Sequence, residues 1–381
     1  MRTSPKRTPP ILIVAFILLS ITSRCHRQTT PSEFRIGAVL ALTDRGATYG
    51  NRARMGMELA VTELNAQPDF KSHPIILKIE DSRSSAKDAL SAFQKLADLD
   101  HVPVVIGFVL SDEVLTCAPV ANQRKIVLLT TAAGSDKIKD AGDYIFRNRE
   151  SGSLQADVIA RACVEQLGIR EVGILHSTSA NGVSYKDGFK AAAQRLGVKI
   201  VGTVEYNEGK NDYHAEIERM RATNPKAVYL AGLDHEMGLI LKQSRQVGFA
   251  PQYLASAGGV SQKLIELAGQ GAEGLVCATA PFDIQSTDSR VWQFVSAYKA
   301  KFNEDPDWIA ANSYDAVVML ANIFQKYGTA PDQIKAALYA TKKFPGIGGT
   351  TTFDSDGEVS KPLLLVQVVN SLFQPFPHKT N

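Results

Sequence analysis

The sequence predicts an α/β protein built from two doubly wound lobes, each a parallel sheet with helices on both faces. Short apolar runs alternate with amphipathic runs along most of the chain, the pattern of parallel strands and crossover helices. About eight such units follow one another, too many for one doubly wound sheet. The chain of 381 residues, 44% hydrophobic and 21% charged, has the length and composition of two ordinary soluble domains.

The first stretch stands apart. Basic "MRTSPKRTPP" is followed by "ILIVAFILLSI" (residues 11–21), an apolar run too short to span a bilayer comfortably, and then by the small residues Thr22 and Ser23. That is the layout of a secretory signal peptide over residues 1–24, with a retained membrane anchor as the alternative. Losing Arg2, Lys6, Arg7 and Arg24 with it takes Lys+Arg from 42 to 38 against 39 acidic residues, so net +3 becomes about −1. A near-neutral mature chain has no basic surplus to hold nucleic acid. Cys25 is a candidate for lipidation, against which Arg24 stands where small residues are wanted. The alternative is cleavage near Ser23, which frees a soluble protein.

From residue 34 the elements run in order. Strand-like "RIGAVLA" leads through the turn "LTDRGATYG" to helix-like "RARMGMELAVTELNAQ". Strands "IILKIED", "VPVVIGF" and "IVLLTT" follow, with "AKDALSAFQKLAD" between the first two. A break at "FRNRESGS" closes the first lobe near residue 149. A second series runs to about residue 280: "LQADVIARACVEQLG", "EVGILHS", "VKIVGTVEY", "HAEIERMRATN", "AVYLAG", "QYLASA" and "EGLVCATA". After "PFDIQSTDSRVWQFVSAYKAKFNEDP" comes a long helix, "WIAANSYDAVVMLANIFQKYG". The closing "TTTFDSDGEVSKPLLLVQVVNSLFQPF" reads as a hairpin with its turn at "DSDGE". Asp354, Asp356 and Glu358 in that turn stop short of a calcium loop.

No G-x-S-x-G elbow, H-E-x-x-H, Walker loop or G-x-G-x-x-G fingerprint occurs, and the seven histidines are scattered without metal-ligand pairing. Cys117, Cys163 and Cys277 lack C-x-x-C spacing and read as free buried thiols, with one disulfide as the alternative. In "DHEMG", Asp234 reads as a helix N-cap, with His235 and Glu236 in the first turn. An exported two-lobe α/β chain with no catalytic constellation and no cofactor motif is expected to bind rather than to catalyse. In such sheets ligands sit beyond the carboxyl ends of the strands. Those ends hold Tyr49, Ser111, Thr131 to Ser135, Asn181, Asp234 and Ala257. For Tyr49, next to Gly50 at a helix start, two readings compete: packing over the turn, or walling a ligand cleft.

With these stretches in hand, the chain resembles the leucine/isoleucine/valine-binding branch of the periplasmic solute-binding proteins of ABC transporters. The resemblance rests on "IGAVLALTDRGATYG", "GMELAVTELNAQ", "VVIGFVLSDEVLTCAPVANQRKIVLLTTAA", "YIFRNRESGSLQADVIA", "NDYHAEIERMRATNPKAVYLAGLDHEMGLILKQSRQVGF", "GAEGLVCATAP", "SYDAVVML" and "FPGIGGTTTFDSDGE", in the family's order. It implies a type I periplasmic binding fold: two lobes joined by three crossovers that close on a ligand. The first lobe would comprise 34–150 plus 281–348, the second 151–280 plus 349–376. The family's first-loop aromatic falls on Tyr49. Its carboxylate-binding serine falls on Ser111, beside Leu110, and a backbone-carbonyl contact on Ala132, beside Ala133.

Departures carry information too. A carboxylate-holding threonine falls on Gly134, with Thr131 or Ser135 as substitutes. The second-lobe Tyr falls on Asn181, and the acidic partner of an amino acid's ammonium falls on Ala257. Two aromatics near that ammonium become Leu233 and Ile309. The disulfide of the leucine-type proteins is absent as well: its ends fall on Ser84 and Leu110. The carboxylate end is kept and the amine end stripped, so either Asp234 supplies the charge or the ligand has no ammonium. The resemblance implies a monomeric periplasmic receptor without cofactor, handing a carboxylate-bearing nutrient (2-oxo acid, aromatic acid or branched-chain amino acid) to an ABC-type inner-membrane permease. A sensory receptor of the same fold and a secreted enzyme are the competing classes.

Overall fold

The computed structural model describes Met1 and residues 33–377, so the signal segment 1–24 and Cys25 lie outside the described residues. The first sheet starts with β1 (Phe34–Leu40), followed by α1 (Ala47–Ala66), β2 (Ile75–Asp81), α2 (Ala86–Asp98), β3 (Val104–Gly107), α3 (Ser111–Arg124), β4 (Val127–Thr130) and β5 (Ile145–Arg147). Its order is β2-β1-β3-β4-β5, all pairs parallel. Strands β3 and β4 are buried at every position, as strands covered on both faces must be. Helix α2 shows how local signals agree with packing. Ser85 accepts the Asp88 N–H at its start, and Ala89, Ala92, Phe93 and Leu96 form one buried stripe.

The chain then crosses to a second sheet. Here α4 (Gly152–Glu165), β6 (Glu171–Ser177), α5 (Ala180–Leu196), β7 (Lys199–Tyr206), α6 (His214–Arg221), β8 (Ala227–Ala231), α7 (Asp234–Gln246), β9 (Gln252–Ala255), α8 (Gln262–Ala268) and β10 (Val276–Thr279) follow in order. It crosses back through α9 (Ser289–Phe302), α10 (Trp308–Tyr327), α11 (Pro331–Ala340) and the short pair β11 (Phe344–Gly346) and β12 (Gly349–Thr351). Helix α10 packs along α1 in the first core. The third crossing delivers β13 (Leu364–Val369) and β14 (Leu372–Pro375) to the second sheet, whose order is β14-β13-β10-β9-β8-β6-β7. Two lobes joined by three crossovers are the predicted architecture, but the second sheet is mixed, β13 pairing antiparallel with both β10 and β14.

Three details differ from the sequence reading. The closing hairpin turns at Asn370 and Ser371, both at positive φ (52° and 61°), the backbone of a tight turn between antiparallel strands. "DSDGE" makes a separate turn bridged only by Phe353 and Val359. Its carboxylates are spent locally: Asp354 accepts the Asp356 and Glu358 N–H groups, Glu358 pairs with Arg147, and Asp356 with Lys139. Second, Phe353 and Val359 pack in the first lobe's core, Phe353 edge-on to Phe146, so the third crossing falls after residue 359 rather than at 348. Third, Leu233 is the N-cap of α7, and Asp234 is its first helical residue. Cys117, Cys163 and Cys277 are buried and unpaired, and burial pushes the Cys117 and Cys163 thiols up to about 12.

Candidate functional site

Each sheet has a switch point, where neighbouring strands send their chains to opposite sides. In the first it lies between β1 and β3, and in the second between β6 and β8. The turns leaving β1 and β3 carry Tyr49 and Ser111; those leaving β6 and β8 carry Asn181 and Asp234. The two switch points face each other, and the residues between them are the candidate site.

Tyr49 sits in the first turn of α1 and is buried. Its hydroxyl donates to the Gly258 carbonyl (2.7 Å) and accepts the Asp234 N–H (3.2 Å), both in the opposite lobe. That N–H is one of the orphan donors that open α7. Burial pushes the Tyr49 phenol well up. Gly50 permits this placement. A Cβ there would lie 1.9 Å from the Ala41 carbonyl oxygen, so only glycine lets α1 start against the end of β1.

Ser111 is the first residue of α3, is buried, and accepts the Ser135 N–H at 3.1 Å. Leu110 caps that helix and lies with Ala132 in a continuous apolar cluster that also takes in Tyr49, Trp308 and Ile309, and Leu233 and Ala257 from the second lobe. Ala133 is buried in a neighbouring cluster behind it. Asn181 meets Gly134: a Cβ on Gly134 would lie 2.7 Å from Asn181 Oδ1, so the two positions are in direct contact across the cleft. Thr131 accepts the Ser313 hydroxyl, and the Ser135 hydroxyl lies between the Ser184 hydroxyl and the Lys137 N–H.

Asp234 is buried, and burial pushes its carboxyl up to about 6. Oδ1 accepts the His235 N–H (2.9 Å) and Oδ2 the Ser261 hydroxyl (2.8 Å). Both oxygens serve the second lobe itself.

Sequence reasoning missed four cleft residues: Arg149, Gln155, Tyr185 and Trp308. Arg149 stands on the first crossover, and its guanidinium lies 4.9 Å over the Trp308 ring. Nε donates to the Glu150 carbonyl, Nη1 to the Ala132 carbonyl and Nη2 to the Tyr185 hydroxyl. Tyr185 in turn donates to Gln155 Oε1, which also accepts the Ala257 N–H. A relay thus joins Ala132, Arg149, Tyr185, Gln155 and Ala257 across the cleft. An arginine in "FRNRES", at the break between lobes, was the available signal. Asn181 Oδ1 and Trp308 Nε1 are buried without a hydrogen-bond partner among the described residues.

Around the cleft the lobes touch. Asp112 accepts the Ala180 N–H (3.4 Å), Ser135 pairs with Ser184, and Arg45 pairs with Glu208. At the outer edge a cavity of about 540 Å³ is bordered by Arg45 and Arg83 from the first lobe and His235 and Lys263 from the second.

Facing switch points, a cleft lined from both sides and three crossovers between the lobes are the architecture of a two-lobed binding protein. The family model for periplasmic binding protein matches residues 33–371, and the chain belongs to that family. It is 25% identical over 334 residues to Leu/Ile/Val-binding protein homolog 3 of Brucella melitensis, covering 87% of this chain and 90% of that protein. The solved leucine-binding protein LivK of Thermotoga maritima superposes with a TM-score of 0.85 at 25% identity, covering 90% of this chain and 97% of that one. A solute-binding protein of an ABC transporter from Rhodopseudomonas palustris, solved with 3,4-dihydroxybenzoic acid, shares the fold (TM-score 0.80, 22% identity, 90% and 95% covered).

Proposed function

We propose that this chain is an exported, monomeric receptor of the periplasm that binds a small organic carboxylate without an ammonium group, an aromatic acid or branched 2-oxo acid, and delivers it to an ABC-type inner-membrane permease. One observation carries the ligand class: the acid beside Tyr49 at the cleft is held within its own lobe. Asp234, the acid at the cleft, has both oxygens engaged by His235 and Ser261. Ala257, Leu233 and Ile309 add only apolar surface. A buried, unpaired ammonium costs several kcal/mol, enough to abolish micromolar binding. The carboxylate would lie by Ser111, at the start of α3, where helix N–H groups favour an anion.

A thermal-shift screen tests this, because a ligand at a hundred times its dissociation constant stabilises by about 2.7 kcal/mol. Leucine, valine and phenylalanine are paired with their 2-oxo acids and with benzoate-type acids. Stabilisation by the acids is expected. Stabilisation by the amino acids alone would overturn the ligand class and return Asp234 to the role of counter-ion.

A further inference from the structure

From the geometry we infer that Arg149 is the charge anchor of the site: its guanidinium takes the ligand's carboxylate in place of the hydroxyl lost at Gly134, and it restricts the receptor to ligands of net negative charge. The inference rests on the carboxylate reading above and adds the residue that enforces it.

Location comes first. Arg149 is buried, yet it stands on a crossover and reaches groups of both lobes: the Ala132 carbonyl and the Trp308 ring on one side, the Tyr185 hydroxyl on the other. Its Cζ lies 3.4 Å from the point a Cβ of Gly134 would occupy, so the guanidinium fills the neighbourhood that a threonine side chain would otherwise enter.

Charge comes second. All three hydrogen-bond partners of the guanidinium are neutral oxygens, and among the described residues no carboxylate lies within 4.0 Å of it. The neighbouring Arg147 has Glu358, whereas Lys361, like Arg149, is held by neutral oxygens: the Asn148 and Gly348 carbonyls and Asn312 Oδ1. Among the described residues, Arg149 is a cation lining the cleft with no carboxylate in ion-pair contact, and it reaches both lobes. A guanidinium has five N–H donors, and three are used here, which leaves one on each terminal nitrogen for an acceptor of the ligand. An anion arriving there would be worth more than in water, because the cation is already desolvated.

The same placement works against amino acids. Guanidinium Nη1 already donates to the Ala132 carbonyl, so an incoming ammonium would have to share that acceptor and meet a like charge beside it. Rejection is built from repulsion as well as from the missing acid at Ala257.

The experiment compares benzoate with benzamide, and 4-methyl-2-oxopentanoate with leucine, by calorimetry on the full mature chain, Arg149→Gln and Arg149→Lys. The parent should bind the anions and prefer benzoate over benzamide. Arg149→Gln should lose about tenfold or more in affinity for the anions while leaving benzamide nearly unchanged, as loss of a charged hydrogen bond requires. Arg149→Lys should keep most of the preference for the anion, since it keeps the charge. A purely structural role for Arg149 would weaken anion and amide equally, which would overturn the inference. So would anion affinity in Arg149→Gln within twofold of the parent, and either result leaves the carboxylate reading standing. Binding of leucine alone, or of no probe, would overturn both.

Discussion

Replacing Tyr49 by phenylalanine removes one oxygen and leaves the ring. That oxygen makes two hydrogen bonds, to the Gly258 carbonyl at 2.7 Å and from the Asp234 N–H at 3.2 Å, and both partners belong to the opposite lobe. With the lobes apart, water can satisfy all three groups. With the lobes together, the variant strands a carbonyl and a helix-opening N–H in a buried seam. Each stranded group costs about 1–2 kcal/mol, so closure should weaken by about 2–4 kcal/mol, or roughly 30- to 700-fold in ligand affinity. The fold itself should be spared, because no contact within either lobe changes. The assay is calorimetric titration with the carboxylate that stabilises the parent best, alongside thermal unfolding without ligand and small-angle scattering with it. The expected result is a large loss of affinity, an unchanged unliganded Tm and less compaction at a given ligand concentration. Affinity within twofold of the parent would refute the seam as a source of binding energy; a fallen unliganded Tm would show that Tyr49 holds the fold instead.

Ser111→Ala should weaken carboxylate binding by about 1–3 kcal/mol, read by calorimetry, because it removes a donor to a buried charge. Gly50→Ala should lower the midpoint of thermal unfolding by several degrees, since the new methyl would meet the Ala41 carbonyl at 1.9 Å and overpacking of this kind costs about 1–3 kcal/mol. Asp234→Asn should leave anion binding nearly intact and should flatten the pH profile of stability. The folded carboxyl is raised from 3.8 to about 6, so the native state binds its proton more tightly than the unfolded one. Stability from this group is therefore full below pH 4 and is lost as pH rises to about 6, by up to about 3 kcal/mol. Urea titrations between pH 4 and 7 on parent and variant give the comparison.

Much of this was legible in the residues. Alternation of "VVIG"-like runs with amphipathic segments identifies both sheets, and the strand ends point to Tyr49, Ser111 and Asp234. Arg149, Tyr185 and Trp308 were not legible, because nothing in local spacing says that a crossover arginine turns inward or that an aromatic one turn into α5 reaches the cleft. Those facts depend on how three separate segments meet. The closing hairpin was misassigned for a related reason. "DSDGE" is a strong turn signal, whereas Asn370-Ser371 is a weak one whose positive φ values are imposed by the pairing of β13 with β14.

The seam between the lobes is fastened to main-chain atoms. Tyr49 grips the first N–H of α7 and the Gly258 carbonyl, and Asp112 grips the first N–H of α5. A backbone amide is present whatever side chain it bears. The latch is therefore indifferent to substitutions at Leu233, Asn181 or Ala257, positions the proposed site assigns to the solute. On the proposed function, fastening and discrimination are written in separate alphabets: side chains facing the solute can change while the seam keeps its main-chain partners.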